Sequence, residues 1–178
     1  MRIISGKHKG RKFMPPANIP ARPTTDFAKE ALFNILHNHL DFASIRYLDL
    51  FSGTGNIAYE MFSRGCNDIT MIDLSPISVN FQKKMAQILN MTAVATIITG
   101  DALAYIQQAR QDFDLIFAGP PYALEAIDEL PDMIFGSNLV HDETLFILET
   151  SPRHDFTAHP LLLEVRNYGQ THFWFFGR

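Results

Sequence analysis

Between residues 46 and 119 the chain alternates strand-like and helix-like segments, and this alternation limits the possible folds more than any other feature. Four short apolar runs are predicted strands: "RYLDLFS", "DITMIDL", "AVATIITG" and "FDLIFAG". The segments between them carry apolar residues at helical spacing. Strands that alternate with helices are typical of a parallel sheet with helices on both faces. We therefore predict an open α/β sheet that is Rossmann-like and mostly parallel.

Capping and breaking residues predict where the helices begin and end. The expected boundary residues are Thr25 or Asp26 for the first helix, Asn56 and Gly65 for the second, Ser75 with Pro76 for the third, and Asp101 and Gln111 for the fourth. Pro131 is expected to break the helical segment that follows residue 122.

A hairpin at each end of the chain and one further strand add to this pattern. Residues 1–14 are predicted to form a short hairpin, because two strand-like runs flank a lysine-rich turn with two glycines. A proline-rich connector follows, so we expect residues 1–24 to form an extension of a domain over residues 25–178. "ETLFILET" is a further strand, and "LLLEVRNYGQTHFWFF" is a closing hairpin that turns near Tyr168 and Gly169.

The composition excludes several classes of protein. A chain of 178 residues, 47% of them hydrophobic, supports one domain with a full core. It has no signal-peptide pattern and no apolar stretch that approaches a membrane span. The single Cys66 cannot form an internal disulfide, which fits a reducing cytoplasm. We expect a cytoplasmic monomer with no metal site.

The net charge of −4 is divided unevenly along the chain. Residues 1–46 hold eight Lys or Arg against three Asp or Glu, a net +5, and the rest of the chain carries −9. A basic arm on an acidic body is typical of a protein that holds a polyanion by one end. A solvated hairpin whose lysines only favour solubility explains the charge equally well.

A glycine turn follows the first strand of the alternating series. The spacing Gly53-x-Gly55-x-x-Ala58 fits a nucleotide-binding turn, because glycine lets the backbone approach a ligand closely. Asp73 ends the second strand, where a carboxylate can bind both hydroxyls of a ribose. Alone the pattern is weak, and Asp73 could be only a turn residue.

The acidic residues favour S-adenosylmethionine over NAD as the ligand. Asp49, near the end of the first strand, would lie unfavourably beside a pyrophosphate and favourably beside the ammonium of an amino acid. Asp101 follows the third strand, where it could contact an adenine or serve only as a helix cap. A dehydrogenase would also need a second domain, for which the chain is too short.

The fourth strand ends in "GPPY". Pro120 and Pro121 fix the backbone, and Tyr122 offers a flat face on which an extruded base could stack. A strand-ending turn with a core tyrosine is the simpler interpretation of these residues in isolation. Downstream of "DLFSGTG" the catalytic interpretation is favoured.

Four segments closely resemble the RsmD family of 16S ribosomal RNA guanine-N2 methyltransferases. They are "MRIISGKHKGRKF", "RPTTDFAKEALFNIL", "LDLFSGTGNIAYEMFSRG" and "FDLIFAGPPY", and the resemblance continues to the C-terminal "RNYGQTHFWFF". It implies a Rossmann-like methyltransferase sheet with an antiparallel C-terminal hairpin. The implied substrate is one guanine in 16S rRNA or a small-subunit assembly intermediate, and the implied methyl donor is S-adenosylmethionine.

The resemblance also implies roles for individual residues. The expected donor site consists of Asp49, Phe51, Gly53 and Gly55 at the methionine end, Asp73 at the ribose, and Asp101 with Ala102 at the adenine. Arg22 and Thr24 are expected near the donor and the target base. The residues expected along the RNA backbone are Arg2, Lys7, Lys9, Arg11 and Lys12.

The chain departs from the family pattern at two positions. The fourth strand of the family normally ends in Asp-Pro-Pro-Tyr, and this chain has Gly119 in place of the aspartate. The family usually has a glutamate near Ile72 or Asp73, where Asp73 is here the only acid.

Gly119 should lower the rate, because an aspartate would accept hydrogen bonds from the target amine and stabilise positive charge on its nitrogen. Losing such an acceptor costs roughly 10²–10⁴-fold. Asp114 lies at the opposite end of the strand, so the sequence offers no obvious acid to replace it. A backbone carbonyl such as that of Ala118, or a water, could replace the acceptor.

Other functions stay open from the sequence alone. The chain could be an inactive RNA-binding or assembly protein on the same scaffold, with Gly119 as its only support. A DNA methyltransferase and an NAD-dependent oxidoreductase are weaker alternatives.

Overall fold

The computed structural model describes residues 1–20 and 24–178, and the described residues form a seven-stranded sheet of order β3-β2-β1-β4-β5-β7-β6. The strands are β1 (Arg46–Leu50), β2 (Asp68–Asp73), β3 (Ala95–Thr99), β4 (Leu115–Ala118), β5 (Leu145–Thr150), β6 (Leu162–Tyr168) and β7 (Thr171–Phe176). Strands β1 to β5 are parallel, and β7 pairs antiparallel with β5 and with β6. The predicted Rossmann-like sheet with an antiparallel C-terminal hairpin is confirmed.

Five α-helices and one 3-10 helix, counted over the described residues, cover this sheet. They are α1 (Asp26–His37), α2 (Asn56–Ser63), α3 (Pro76–Leu89), α4 (Ala102–Gln108), the 3-10 helix (Glu125–Glu129) and α5 (Leu130–Phe135). Apolar residues of α1, α2 and α3 pack in one core cluster, and those of α4 and α5 pack in another. Successive strand residues alternate between the clusters: Leu115 and Phe117 belong to the first, and Ile116 and Ala118 to the second.

The predicted caps are confirmed at three helices. The side chains of Thr25, Ser75 and Asp101 accept hydrogen bonds from backbone amides of α1, α3 and α4. Pro76 occupies the first position of α3.

Two helix predictions need correction. Helix α4 ends at Gln108 and not near Gln111, because Ala109 is extended with ψ 140°. Pro131 does not end helical structure. It lies in the first turn of α5, which continues from the 3-10 helix, where its missing amide costs no hydrogen bond.

The N-terminal hairpin is shorter than predicted, with a single β-bridge between Arg2 and Lys12. Three arm residues, Ile3, Phe13 and Ile19, are buried in the core cluster that contains α1, α2 and α3. The arm over residues 1–20 therefore packs on the body.

The order of the strands determines where a ligand can bind. The chain leaves β1 toward β2 on one side and returns to β4 on the other, so the connections after β1 and β4 diverge and leave a crevice at their carboxyl ends. None of the helices in the described part of the chain has the length and apolar character that crossing a membrane requires.

Candidate active site

A cavity of about 550 Å³ opens at this crevice, at the carboxyl ends of the parallel strands. The strand-end motifs contain eleven residues that are expected at the methyl donor or the target base. Ten of them line this cavity: Asp49, Phe51, Gly53, Asp73, Asp101, Ala102, Gly119, Pro120, Pro121 and Tyr122. Thr24 lines it as well. The sheet therefore brings together motifs that are up to about 100 residues apart in the chain.

Asp49 is the most deeply buried acid of the cavity. It lies in β1, one residue before the strand ends, and it is 2% exposed. Burial raises the pKa of this carboxyl well above its ordinary value, and the negative charges of Asp73 and Glu149 raise it further. The ionised form therefore needs a cation, and an ammonium group in the cavity would supply one.

Asp73 and the glycine loop hold each other in place. One carboxylate oxygen of Asp73 accepts a hydrogen bond from the amide of Gly53 at 2.7 Å, and the other accepts one from the amide of Ser75 at 2.9 Å. Gln82 of α3 donates to the carbonyl oxygen of Gly53 at 2.7 Å. Each carboxylate oxygen of Asp73 keeps a further lone pair, which a ribose hydroxyl could use.

The loop has strained backbone where it approaches the cavity. Phe51 is not a glycine, yet its φ of 60° lies in the left-handed region. Gly53 has a φ of 52°. Such strain is concentrated at ligand-binding segments, where the surrounding structure maintains it.

Gly55, which the sequence places among the donor-binding residues, does not line the cavity. It is the N-cap of α2 with a φ of 79°, and a Cβ there would lie 2.5 Å from the ring of Tyr59. Glycine is required at this position by the backbone conformation and by the close packing of Tyr59.

The tip of β4 provides the other wall of the cavity. The amide of Gly119 donates to the carbonyl oxygen of Leu50, so the tip stays joined to β1. Pro120 is buried, whereas Tyr122 is 42% exposed at the mouth. A ring in this position is accessible to a base that enters from solvent.

The structure adds Glu149, an acid that sequence analysis did not identify. Glu149 lies near the end of β5 and lines the cavity. A Cβ on Gly119 would lie 3.8 Å from its Oε2 atom. The expectation that the sequence offers no acid close to Gly119 is therefore wrong, because β5 lies directly beside β4. The alternation of side chains along "LFILET" is the signal that could have revealed it.

The five basic residues predicted on the arm are all exposed: Arg2, Lys7, Lys9, Arg11 and Lys12. Arg2 pairs with Asp26 at 3.4 Å, and Arg11 donates to the carbonyl oxygen of Ile88 in α3. None of these five residues lines the cavity. Arg22, which was expected near the target base, lies outside the described residues.

A buried polar network joins the arm to the cavity. Lys29 of α1 lies 3.6 Å from the carboxylate of Glu60 and donates to the carbonyl oxygen of Arg2 and to the Oδ1 of Asn56. Asn56 in turn donates to the carbonyl oxygen of Thr24, whose hydroxyl donates to Oε2 of Glu149 at 2.6 Å. The arm and the cavity wall are therefore connected through hydrogen bonds.

The chemistry of the cavity fits S-adenosylmethionine. Asp49 is a buried carboxyl that a cation would stabilise, and Asp73 is a fixed carboxylate that a ribose could contact. Asp101 and Ala102 begin α4 at the same edge, where backbone and side-chain groups could contact an adenine. Gly119 lines the same cavity and has no side chain that would extend toward Glu149.

Comparisons with known proteins agree with this geometry. The family described as Conserved hypothetical protein 95 matches residues 1–177. Ribosomal RNA small subunit methyltransferase D of Haemophilus influenzae is 29% identical over 84% of this chain and 78% of its own length.

Two solved structures share the fold. Hypothetical protein TTHA0928 of Thermus thermophilus superposes with a TM-score of 0.85, at 25% identity and over 100% of this chain and 99% of that one. The T. thermophilus 16S rRNA N2 G1207 methyltransferase (RsmC), solved with AdoMet and guanosine, has a TM-score of 0.70 at 16% identity, over 87% of this chain and 44% of that one.

The family match extends over almost the whole chain, and the cavity fits the donor that the fold implies. The chain belongs to the family described as Conserved hypothetical protein 95, the RsmD family of S-adenosylmethionine-dependent RNA methyltransferases.

Proposed function

We propose that this chain transfers a methyl group from S-adenosylmethionine to the exocyclic N2 amine of a guanine in 16S rRNA. The observation that carries the proposal is the convergence of Asp49, Asp73 and the Pro120-Pro121-Tyr122 segment on one cavity. The substrate is 16S rRNA or an assembly intermediate of the small subunit. The protein acts in the cytoplasm as a monomer.

The residues that line the cavity have different roles in the proposed reaction. Asp49 binds the ammonium of the methyl donor, Asp73 binds the ribose, and Asp101 with Ala102 contacts the adenine. The donor supplies an electrophilic methyl group when it is bound. Tyr122 stacks on the extruded guanine and holds its amine toward the methyl group. Pro120 and Pro121 restrict the backbone that presents this ring.

The basic arm binds the RNA backbone outside the cavity. Lys7, Lys9, Arg11 and Lys12 are exposed, and lysine and arginine side chains neutralise phosphates without reading the sequence. A body with a net charge of −9 over residues 47–178 repels RNA elsewhere, which favours one orientation.

The test is transfer of labelled methyl from S-adenosylmethionine to small ribosomal subunits that lack the modification. Fully methylated subunits and purified duplex DNA are the control substrates. We expect label in 16S rRNA of the unmethylated subunits alone, and digestion to nucleosides should give N2-methylguanosine. Label in DNA, or at another atom of guanine, would contradict the proposal.

The Gly119→Asp variant separates a methyltransferase from an inactive assembly protein. Similar transfer by both proteins would mean that another group replaces the aspartate. Transfer by the variant alone would mean that the natural chain binds donor and RNA without turnover. Donor binding, measured as a rise in melting temperature with S-adenosylmethionine but not with NAD, is expected for both proteins.

A further inference from the structure

Position 119 has an acid beside it on the neighbouring strand. Strands β4 and β5 are parallel, and their last registered pair is Ala118 with Leu148. Gly119 and Glu149 are the next residues of the two strands, so both belong to the face opposite Ala118 and Leu148. The distance of 3.8 Å between Oε2 of Glu149 and the site of a Cβ on Gly119 agrees with this placement.

The absence of a side chain at Gly119 gives Glu149 access to the space that an aspartate would fill. A Cβ at this position would have Phe117 at 3.4 Å and Glu149 at 3.8 Å as its nearest contacts, so the space beyond it is bounded by this carboxylate. Both residues line the same cavity as Asp49 and Tyr122. The carboxylate therefore borders the space that the side chain of an aspartate at position 119 would occupy, on the wall of the cavity.

We propose that Glu149 is the catalytic acceptor for the target amine and replaces the side chain that is missing at Gly119. This inference rests on the proposed function for its substrate. The Glu149 carboxylate accepts hydrogen bonds from the amine and favours a tetrahedral nitrogen whose lone pair is directed at the methyl carbon. It also stabilises the positive charge that develops on nitrogen.

The atoms and charges balance in this step. The amine nitrogen forms a bond to the methyl carbon, while the bond between that carbon and the donor sulfur breaks and leaves its electron pair on sulfur. The positive charge passes from sulfur to nitrogen. Glu149 accepts a proton from the nitrogen, and the protonated carboxyl releases it to water after the product leaves.

Thr24 positions this carboxylate. Its hydroxyl donates to Oε2 at 2.6 Å, and Asn56 holds the carbonyl oxygen of Thr24 at 3.1 Å. A carboxylate has about four lone-pair sites, so the hydrogen bond from Thr24 does not by itself prevent Glu149 from accepting one from the target amine.

Glu149→Gln tests the proposal because the amide keeps the shape and loses the charge. We expect kcat for methyl transfer to fall about 10²-fold to 10³-fold. The KM for S-adenosylmethionine and the stabilisation by the donor should stay within about twofold of wild type, since Asp49 and Asp73 hold the donor. Glu143→Gln is the matched control, because Glu143 is an exposed acid just before β5, and it should leave kcat unchanged.

The double variant Glu149→Gln with Gly119→Asp distinguishes a catalytic role from a structural one. With a carboxylate restored at position 119, the double variant should have a kcat at least about tenfold higher than that of Glu149→Gln alone. A role in packing alone would predict no recovery and a lower melting temperature in Glu149→Gln.

The outcomes separate this proposal from the proposed function. Equal kcat for wild type and Glu149→Gln would overturn the role of Glu149 and leave the substrate assignment intact. Transfer only by Gly119→Asp would do the same. Transfer to a different RNA would overturn the substrate assignment, and on that RNA an unchanged kcat of Glu149→Gln would overturn the role of Glu149, whereas a fall of about 10²-fold would support it. No transfer by wild type or by Gly119→Asp on any RNA would overturn both.

Discussion

Among the described residues, two carboxylates are almost completely removed from solvent, and the charges around them are opposite in sign. Glu60 of α2 is 0% exposed and contacts Lys29 at 3.6 Å and Arg64 at 2.9 Å, and it accepts the backbone amides of Ile4 and Ser5. Asp49 is 2% exposed, and the charges that act on its pKa are those of acids.

The presence or absence of a counter-charge distinguishes a carboxylate that stabilises the fold from one that binds a ligand. Glu60 has its cations and amide donors within the chain, so its burial is stable when the protein is free. Asp49 has a raised pKa because it is buried and no cation among the described residues compensates its charge. A ligand with an ammonium group would compensate it. A buried carboxylate that lacks a counter-charge thus indicates a binding site, whereas one that has its counter-charge within the chain stabilises the fold.

The largest effect on stability is expected from Glu60→Gln. Burial lowers the pKa of Lys29, and the charge of Glu60 opposes that shift most strongly, so the variant removes the main anion that stabilises this buried cation. The free energy of unfolding should fall by about 3–5 kcal/mol. The melting temperature should fall by roughly 10 °C, as measured by calorimetry.

Glu129→Gln is the matched control for this variant. Glu129 is exposed and its side chain caps no helix, so its melting temperature should stay close to that of wild type. Equal stability of Glu60→Gln and wild type would show that the arm is not held by the buried ion pair.

Asp49→Asn should have the opposite effect on the free protein. The folded state of wild type holds a proton on Asp49 more tightly than the unfolded state does, so wild-type stability falls as pH rises above the ordinary carboxyl pKa. Asparagine has no such proton. The stability of the variant should therefore rise relative to that of wild type as the pH increases above the ordinary carboxyl pKa, by up to about 1.4 kcal/mol per pH unit until the pH reaches the raised pKa of Asp49.

The same variant should lose the methyl donor. A neutral amide cannot pair with an ammonium, and a charge-assisted hydrogen bond contributes about 1.5–3 kcal/mol, or roughly 10–100-fold in Kd. Calorimetric titration with S-adenosylmethionine measures this loss, and melting curves at pH 5 and pH 7.5 measure the stability. Undiminished donor binding would contradict the role of Asp49.

Local signals in the sequence were sufficient for the sheet and for most helix ends. Short apolar runs predicted the five strands that are parallel in the structure, four of them as a parallel series and "ETLFILET" only as a further strand. The caps at Thr25, Ser75 and Asp101 are formed by side chains three residues before the amides they bind. The strand ends also predicted that Asp49 and Asp73 would lie at one edge, because parallel strands end on the same side of a sheet.

Glu149 and the Lys29–Glu60 pair could not be predicted in the same way. The contact of Glu149 with the space at Gly119 depends on β5 lying beside β4, and Glu149 is 125 residues from Thr24, a side chain that holds it. Lys29 and Glu60 are charged residues on helix-forming segments, which usually indicates solvent exposure. Their burial follows from the arm covering both helices, and no local pattern encodes that contact.

The smallest effect is expected from Thr24→Val. This variant changes the surroundings of Glu149, a third acid that can be compared with Glu60 and Asp49. Thr24 donates a hydroxyl hydrogen bond to Oε2 of Glu149 at 2.6 Å. Valine keeps the shape of threonine and removes the hydroxyl, so Glu149 stays in the cavity with a less restricted orientation. We expect kcat to fall about tenfold, in line with the loss of one hydrogen bond to a charged group, while the melting temperature changes by no more than about 4 °C. Thr24→Ser keeps the hydroxyl and should retain most of the wild-type kcat. If valine and serine reduced kcat equally, the methyl group and not the hydroxyl of Thr24 would be the part that matters, and the positioning of Glu149 by this hydrogen bond would be excluded.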